Sequence, residues 1–508
     1  MGLSTYQTAI VNEIIAGTSN IVVDAKAGAG KSFTIMQSLK ALKEAGFRKQ
    51  CLLMAFNKNI QKELEAKVSD LGASSFVTVK TFHSVGFSAL RSITKGRRIK
   101  VDSRKSWKIL KNWKDNETIT KDDYKMCSTI LKLAGLAKNA GVKCTIDGVM
   151  IHNNKALYEG IVDHHGITPS SKDGSIDRAI ELAMLLVEKA AITKDIIDFD
   201  DMLWMPIMEN ARFFRNNRVF VDELQDTNPL QLEIAARALA SSGQFIGVGD
   251  PNQAIYGFRG ADSDAFWTVA DRMSAKVMSL PICYRCPTSV IEAAQTLVPD
   301  IQAAPDAIEG CVETYGEDPS FDVTQFDAIL CRNNAPLVKA CYTFIRKRIP
   351  AFILGKDTAK SLCYLIDTME ALTIDQLETA LEAYFQREIE KAKEKGHQTK
   401  AGLLTDKQEC LAVFFEMLPE NSRTIAGLKR QIESLFSDKN EDGILLSTIH
   451  KCKGREWNTV GILDRHLMPS KYAIKDWQKQ QEANLEYVAI TRAMERLVFI
   501  HTEDLVEL

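Results

Sequence analysis

The stretch "VVDAKAGAGKS", residues 22–32, joins a run of apolar residues to a turn that contains glycines and ends in lysine and serine. Residues 21–25 are apolar and mostly β-branched except for Asp24, which predicts a short buried strand. The apolar residues between Phe33 and Leu42 recur at helical spacing, so a helix is predicted directly after the turn. Strand, glycine turn and helix in this order are the context that a phosphate-binding P-loop requires.

The turn supplies the groups that bind a nucleoside triphosphate. Gly28 and Gly30 allow backbone N–H groups to face phosphate oxygens, and the start of the helix adds partial positive charge. Lys31 is predicted to reach the β- and γ-phosphates, and Ser32 is predicted to ligate Mg²⁺. The strict motif begins with glycine, whereas this chain has alanine at that position. The predicted ATP-binding residues of the loop are Ala25, Lys26, Ala27, Gly28, Ala29, Gly30, Lys31 and Ser32.

Length and composition limit the class of protein. The chain has 508 residues, of which 45% are hydrophobic and 26% charged, as in a globular protein with more than one domain. We find no apolar run long enough to cross a bilayer and no leader segment, so no membrane partner is expected. The 11 scattered cysteines predict reduced thiols and a cytoplasmic location, in a bacterial or phage-infected cell, or a nuclear one if the source is a eukaryote. Cys283 and Cys286 form a single CxxC, without the second pair that a zinc site needs.

A second motif supplies the acidic groups that triphosphate hydrolysis needs. In "RVFVDELQDTN", residues 218–228, a predicted strand at 219–221 ends in Asp222 and Glu223. Asp222 is predicted to hold Mg²⁺, and Glu223 to orient and deprotonate the attacking water.

The segment "FIGVGDPNQAIYGFRGAD", residues 245–262, combines phosphate and base recognition. Gln253 is predicted to sense the γ-phosphate, and the aromatic residues Tyr256 and Phe258 offer faces on which bases can stack. Arg259 follows them. A segment of this kind couples hydrolysis to the movement of a nucleic-acid strand.

Together with further motifs, this set resembles the superfamily 1 DNA helicases of the UvrD/Rep/PcrA type, and the matches run in family order along the chain. The resemblance implies that Gln7, in "STYQTAI", contacts the adenine, and it makes "DFDDML", residues 198–203, a family signature. The segments "AFNKN" and "TFHS" are similar to motifs that contact the DNA strand. The resemblance places these residues on DNA: Phe56, Asn57, Lys58, Thr81, His83, Tyr256, Phe258, Arg259 and His450.

The motifs of the second half complete the implied nucleotide site. "CYRCP" implies that Tyr284 stacks on adenine and that Arg285 touches the γ-phosphate; "STIHKCKGREW" places Glu456 on the ribose. "EYVAITRAMERL" makes Arg492 an arginine finger supplied by the same chain. The implied catalytic residues are Lys31, Glu223, Gln253, Arg285 and Arg492.

The predicted fold is α/β, with two RecA-like parallel-sheet motor domains, each interrupted by a mainly helical accessory insertion. The first motor domain spans 1–89 and 199–281 around an insertion at 90–198, and the second spans 282–356 and 441–508 around a smaller insertion at 357–440. ATP is expected between the two halves, at the carboxyl ends of strands. The basic stretch 95–115 has two interpretations, a face that follows DNA phosphates or an amphipathic helix with its tryptophans in the core.

The predicted function is an ATP-dependent DNA helicase or translocase that uses Mg²⁺ and acts on single-stranded DNA and on junctions with duplex DNA. Movement in the 3′→5′ direction is implied by the resemblance. Three alternatives stay open: a translocase that mainly strips proteins from DNA, an RNA helicase, and an ATP-switched DNA-binding protein that is not a motor. The intact set of hydrolytic residues argues against the last alternative. The pathway and any loading, repair or replication partner are not predicted.

Overall fold

The computed structural model describes residues 2–93, 98–165, 167, 169, 174–255, 265–394, 398–438 and 442–506. The chain forms two compact units. The first comprises Met1–Lys26 and Gly30–Pro281, and the second comprises Ala27–Ala29 and Ile282–Leu508.

A parallel β-sheet forms the centre of the first unit. The strands of this unit are β1 (Ile21–Ala25), β2 (Cys51–Ala55), β3 (Val77–Thr81), β4 (Lys100–Val101), β5 (Thr145–Ile146), β6 (Val149–Met150), β7 (Ile196–Ile197), β8 (Asn216–Val221), β9 (Leu239–Gly249) and β10 (Lys276–Leu280). Six of them pair side by side in the order β10-β1-β9-β8-β2-β3, and each neighbouring pair is parallel. The predicted strand at 21–25 is confirmed with the same bounds, because its apolar residues are buried on both faces of the sheet.

The edge strand β10 was not predicted from the sequence. Its residues Lys276, Val277 and Ser279 are exposed, so the segment lacks the continuous apolar run that marks the inner strands. It pairs with β1 from Lys276 opposite Ile21 to Leu280 opposite Ala25.

Helices surround this sheet and build the first insertion. They are α1 (Thr5–Ala16), α2 (Lys31–Glu44), α3 (Lys58–Asp70), α4 (Phe82–Ile93), α5 (Lys105–Asp115), α6 (Lys121–Lys125), α7 (Cys127–Asn139), α8 (Lys155–His165), α9 (Ile176–Ile192), α10 (Phe199–Met208), α11 (Pro229–Arg237) and α12 (Ala265–Arg272). The insertion is mainly helical, as predicted, with short strands at its edges. Leu110, Leu133 and Leu186 of the insertion belong to the same buried cluster as Val22 and Leu52 of the sheet.

The signature "DFDDML" ties the insertion to the sheet through buried charges. Asp198 accepts a hydrogen bond from the backbone N–H of Asp201 at the start of α10 (2.9 Å). Asp201 is fully buried and accepts from Lys105 Nζ at 2.6 Å and from Lys138 Nζ at 2.8 Å. Removal of one partner of such a buried pair costs about 3–5 kcal/mol, so the two lysines hold α5 and α7 against α10.

Within the basic stretch, residues 105–115 form the amphipathic helix α5, which follows the short strand β4. Lys105 and Leu110 are buried and Trp113 packs against the core, whereas Lys108 and Lys111 are exposed. This pattern fits the second interpretation of residues 105–115; contact with DNA phosphates stays a prediction, and residues 95–97 lie outside the described residues.

A second parallel sheet forms the centre of the second unit. The strands are β11 (Ile282–Cys283), β12 (Gln302–Ala303), β13 (Cys311–Thr314), β14 (Ala328–Cys331), β15 (Ala351–Leu354), β16 (Phe436–Ser437), β17 (Ile444–Thr448), β18 (Trp457–Leu463) and β19 (Ala493–Ile500). Seven of them pair in the order β13-β19-β18-β14-β17-β15-β16, each pair parallel. The apolar run "ILLST", residues 444–448, predicts a strand, and this prediction is confirmed because β17 has the same bounds. The short strands β13, β15 and β16 have two to four residues each, too few for a periodic signal, and were missed.

The helices of the second unit are α13 (Thr288–Gln295), α14 (Asn334–Arg346), α15 (Lys356–Thr368), α16 (Ile374–Glu394), α17 (Gln398–Glu416), α18 (Ile425–Leu435), α19 (Ile449–Cys452), α20 (Asp476–Ile490) and α21 (Thr502–Val506). Helices α15–α18 make the second insertion mainly helical, as predicted. Asp406 on α17 accepts from the backbone N–H groups of Asn334 (2.8 Å) and Ala335 (3.2 Å), which caps α14. The predicted fold class is thus confirmed, while the five domain boundaries stay predictions. Among the described helices, none has both the length and the apolar character needed to cross a membrane.

Candidate nucleotide-binding site

The predicted P-loop lies between β1 and α2. Gly28 and Gly30 have φ angles of 67° and 78°, in the left-handed region that glycine adopts without strain, and Gly30 is the N-cap of α2. The chain therefore turns sharply enough for the helix to begin at Lys31, with Ser32 in its first turn. Lys26 is buried, and its Nζ donates to Asp24 at 3.0 Å.

Gln7 lies beside this loop. Its side-chain oxygen accepts from the backbone N–H of Ser4 (3.0 Å), and the hydroxyl of Ser4 accepts from the backbone N–H of Gln7 (3.2 Å), a capping box at the start of α1. A Cβ placed on Gly30 would lie 3.4 Å from Gln7 Nε2, so the fixed amide group sits at the end of the P-loop. The adenine contact of Gln7 stays a prediction.

Lys31 is surrounded by three carboxylates. Its Nζ lies 3.3 Å from the carboxylate of Glu223. Burial alone would lower the pKa of Lys31, but the neighbouring carboxylates outweigh burial and raise the pKa, so the ammonium group stays charged. In order of contribution, the carboxylates belong to Glu223, Asp250 and Asp222. A cation with 14% of its side chain exposed, at the end of a glycine loop, is suited to bind an anionic phosphate.

Glu223 has an unusual backbone conformation. Its φ of 52° lies in the left-handed region, which a non-glycine residue occupies at a cost of about 1–3 kcal/mol. Its backbone N–H donates to Asp222 Oδ1 at 3.0 Å. The strained turn directs the Glu223 carboxylate toward Lys31, where a base for the attacking water is needed.

Gln225 is a site residue that sequence reasoning missed. Its Nε2 donates to the carboxylate of Glu223, and its Oε1 accepts from the backbone N–H of Asp250 at 3.0 Å. The buried amide group of Gln225 therefore connects the end of β8, where the predicted base Glu223 lies, to the end of β9, where the predicted phosphate sensor Gln253 lies. The only signal in the sequence is its position two residues after Glu223, on the same turn.

The predicted phosphate sensor lies at the end of β9. Gln253 Nε2 donates to Asp250 Oδ2 at 2.8 Å, and burial raises the pKa of Asp250. Asp250 also contributes to the charge around Lys31, so the structure brings Gln253 to the same group of residues. The predicted stacking and strand-contacting residues Tyr256, Phe258 and Arg259 lie outside the described residues.

The predicted Mg²⁺ ligands are a hydroxyl and a carboxylate, the hard oxygen donors that this cation prefers. Ser32 is half-buried in the first turn of α2, and Asp222 is buried directly after β8. Burial, followed by the charge of Glu223, raises the pKa of Asp222. A buried carboxylate next to a second carboxylate is stabilised by a bound cation, so these residues fit the group.

The predicted DNA-contacting residues of the first unit lie at or after the ends of two neighbouring strands. Phe56, Asn57 and Lys58 come after β2, where the side chain of Asn57 caps α3 by accepting from the N–H groups of Asn59 (2.9 Å) and Ile60 (3.0 Å). Thr81 is the last residue of β3, and its hydroxyl accepts from the backbone N–H of Ser84 at 3.2 Å. The ring of His83 packs edge-on against Phe199, and burial lowers its pKa, which favours a neutral imidazole. DNA contact by these residues stays a prediction.

The second unit gathers four predicted nucleotide-binding residues. Tyr284, 39% exposed, and Arg285 follow β11. Arg285 is paired with the carboxylate of Glu456 and donates to the carbonyl of Thr491 at 3.3 Å. The buried guanidinium of Arg492 donates to the carbonyl oxygens of Val488 (2.8 Å) and Arg455 (3.1 Å).

Two of the predicted nucleotide-binding residues of the second sheet lie away from the carboxyl ends of its strands, and the expected position of ATP stays a prediction. Glu456 immediately precedes β18 and Arg492 immediately precedes β19, so both lie at the amino ends. Trp457 and Ala493, the first residues of these strands, are paired with each other. The preceding residues, Glu456 and Arg492, therefore lie at the same edge of the sheet. The predicted DNA contact His450 lies at the opposite, carboxyl end of β17, in α19.

These features define a P-loop nucleotide-binding protein with two RecA-like sheets. The chain belongs to the UvrD/REP helicase family: the model of the UvrD/REP helicase N-terminal domain matches residues 3–274, more than half of the chain. The UvrD-like helicase C-terminal domain matches residues 367–504.

Curated relatives agree with the family assignment. The ATP-dependent DNA helicase Rep of Buchnera aphidicola is 24% identical over 288 residues, which cover 54% of this chain and 40% of that protein. DNA helicase II of Escherichia coli is 23% identical over 298 residues, 56% of this chain and 39% of that protein. The RecBCD enzyme subunit RecB of Mycobacterium tuberculosis is 39% identical over 82 residues, 16% of this chain and 7% of that protein. The chain thus spans less than half the length of these curated relatives.

Proposed function

We propose that the protein is an ATP-dependent DNA helicase or translocase that moves 3′→5′ along single-stranded DNA. The observation that carries the proposal is the group of charges around Lys31, in which the P-loop lysine is close to the carboxylates of Glu223 and Asp222, after β8, and of Asp250, after β9. Membership of the UvrD/REP helicase family supports DNA as the track. Free thiols at all eleven cysteines, each of which lies among the described residues, support a reducing compartment such as the cytoplasm.

In the proposed reaction, Lys31 and the N–H groups of the P-loop bind the β- and γ-phosphates of ATP. Ser32 and Asp222 hold Mg²⁺, which when bound neutralises charge on those phosphates. Glu223 orients the attacking water and accepts its proton, while Gln225 and Lys31 fix the carboxylate in place. Gln253 contacts the γ-phosphate, and this contact couples the state of the nucleotide to the segment that follows Gln253 in the chain.

The second unit would contribute the groups that respond to the nucleotide. Arg285 and Arg492 stabilise the charge that develops on the transferred phosphoryl group, the role of arginine fingers in this chemistry. Both guanidinium groups are engaged with the protein's own acceptors, so each must exchange those acceptors for phosphate oxygens. That exchange would link hydrolysis to movement of the strand held by the predicted DNA contacts.

The test combines ATP turnover with strand displacement. ATP hydrolysis is measured alone, with single-stranded DNA and with single-stranded RNA; displacement is measured on duplexes with a 3′ or a 5′ tail, and on tailed DNA that carries a bound protein. Lys40→Ala is the matched control for Lys31→Ala, because Lys40 lies on the same helix, is exposed and pairs only weakly with Glu44. We expect stimulation by DNA, displacement from the 3′ tail alone, loss of both in Lys31→Ala and retention of both in Lys40→Ala.

Each alternative has its own outcome. Stronger stimulation by RNA than by DNA would make the protein an RNA helicase, since RNA alone offers a 2′-hydroxyl. Removal of the bound protein with little duplex separation would make it a protein-stripping translocase. Turnover that no nucleic acid stimulates would contradict the motor and leave an ATP-switched binding protein.

A further inference from the structure

The CxxC of residues 283–286 encloses two of the predicted nucleotide-binding residues, Tyr284 and Arg285. Both thiols are buried, with 0% of Cys283 and 2% of Cys286 exposed. The backbone N–H of Cys286 donates to Cys283 Sγ at 3.4 Å, and the Cys286 thiol also lies within hydrogen-bonding reach of that sulfur. The two sulfurs are therefore neighbours in the folded chain.

The electrostatic environment of Cys283 differs from that of the other buried cysteines. The hydrogen bond from the Cys286 thiol lowers the pKa of Cys283 despite its burial, and the backbone N–H groups of Cys286 and Arg285 and the positive charge of Arg285 act in the same direction. Burial instead raises the pKa of five other cysteines to about 12: Cys51, Cys144, Cys331, Cys341 and Cys452. Because the thiolate is the reactive form, the lowered pKa gives Cys283 more thiolate character than these five buried thiols have.

We propose that Cys283 and Cys286 are a site of reversible oxidation, at which a small peroxide converts the two thiols into one intramolecular disulfide. The Cys283 thiolate attacks one oxygen of hydrogen peroxide, the O–O bond breaks and hydroxide leaves, so that Cys283 becomes a sulfenic acid. The Cys286 sulfur then attacks the Cys283 sulfur, the S–S bond forms, and the hydroxyl group leaves as water with the proton of Cys286. Two electrons pass from the thiols to the peroxide, and a thiol reductant reverses the reaction.

Oxidation would change the contacts of the nucleotide-binding residues between the two cysteines. The Cys286 thiol donates to the carbonyl of Thr491 at 3.6 Å, and Arg285 donates to the same oxygen. A disulfide removes the Cys286 proton and fixes the backbone of Tyr284 and Arg285 in a closed ring. This consequence rests on the proposed ATPase function: turnover should fall by about tenfold to a hundredfold, since a shift of about 1 Å in a positioning group costs on that order.

The first measurement counts thiols and does not depend on activity. The reduced full-length chain is treated with hydrogen peroxide, denatured and alkylated, and peptides are mapped by mass spectrometry. We expect two of the eleven cysteines to escape alkylation, a disulfide between Cys283 and Cys286, and recovery of both thiols with dithiothreitol. Alkylation of all eleven, or a disulfide between other cysteines, would overturn the proposal.

Variants separate this site from general oxidation. Cys286→Ser should stop the reaction at a Cys283 sulfenic acid that reacts with dimedone, and Cys283→Ser should abolish the reaction. Cys341→Ser is the matched control, because Cys341 is buried in the same unit and its pKa is raised; this variant should form the disulfide as the native chain does. Equal labelling of Cys283→Ser and Cys286→Ser by dimedone would contradict the assignment.

ATP turnover of the same samples tests the consequence. A reduced chain without DNA-stimulated turnover would contradict the proposed helicase function, whereas the thiol map would still decide the oxidation site. A mapped disulfide with recoverable loss of turnover supports both.

Discussion

The two sheets differ in where they carry their predicted nucleotide-binding residues. In the first unit, Lys31, Glu223 and Gln253 follow strands and face a common centre of charge. In the second unit, Glu456 and Arg492 precede strands. The first three residues thus lie at the carboxyl ends of strands, where parallel sheets usually bind ligands, whereas Glu456 and Arg492 lie at the amino ends.

The two units also differ in the partners that their predicted nucleotide-binding charged groups have. Lys31 already faces the carboxylates with which it would act. The left-handed backbone conformation of Glu223 orients its carboxylate toward Lys31. Arg285 and Arg492 instead bind Glu456 and backbone carbonyl oxygens. In the proposed reaction, the first unit is thus a preorganised binding site, whereas the second unit supplies groups that must change partners. Substitutions in the first unit should accordingly have the larger effects.

The largest effect is expected for Lys31→Ala. Removal of the cation leaves Glu223, Asp222 and Asp250 without their shared counter-charge and removes the contact to the phosphates. DNA-stimulated ATP turnover should fall by about 10³-fold or more, at the upper end for loss of one group that stabilises a transition state. Steady-state ATPase kinetics measure the loss, with Lys40→Ala as the control; residual turnover within tenfold of native would contradict the P-loop assignment.

Glu223→Gln should separate binding from hydrolysis. The amide keeps the size of the side chain but cannot accept a proton, so kcat should fall by about 10²- to 10³-fold, in the range for loss of a general base. Binding of ATP, followed by a fluorescent nucleotide analogue, should stay within a few-fold of native. Loss of nucleotide binding would show that Glu223 is needed for the architecture of the site and would remove it from the role of base.

Some of this site was predictable from sequence because the requirement is local. The P-loop needs glycines at positions where φ is positive, and that requirement is visible in the spacing of Gly28 and Gly30. The role of Gln225 depends on a contact with Asp250 on another strand, for which the chain shows no periodic signal. The pairing of Arg285 with Glu456 likewise joins distant segments through tertiary structure alone.

The same reasoning applies to the fold. Inner strands with continuous apolar runs, such as β1 and β17, were predicted with correct bounds. The exposed edge strand β10 and the two-residue strand β16 are held by pairing with their neighbours rather than by their own composition, so no local pattern marks them.

Arg285→Ala tests the second unit and should lower kcat by about 10²-fold with little change in KM, because an arginine that acts only in the transition state contributes little to ground-state binding. This loss is smaller than the roughly 10³- to 10⁵-fold of a single arginine finger because the second arginine, Arg492, remains. Glu456→Gln is the informative companion, since it releases Arg285 from its partner while keeping the shape of the side chain. It should raise the KM for ATP more than it lowers kcat if Glu456 contacts the ribose. Equal effects of both variants on KM alone would remove Arg285 from the transition state.

The smallest effect is expected for Gln225→Ala. The substitution removes the amide group that bridges Glu223 and Asp250 but leaves the contact of Glu223 with Lys31. The contact with Lys31 therefore still positions the carboxylate of the base. We expect kcat to fall by about tenfold with KM unchanged, as for a group that positions a base without touching the substrate.

Gln231→Ala is the matched control for this variant. Gln231 is a buried amide of the same segment, and it caps α11 by accepting from the backbone N–H of Asn228 at 2.9 Å. Its loss should lower the free energy of unfolding by about 1 kcal/mol and leave kcat unchanged. If the two variants lose stability alike and neither loses turnover, the bridge is structural, and the preorganisation of the first unit rests on Lys31 and the strained turn at Glu223 alone.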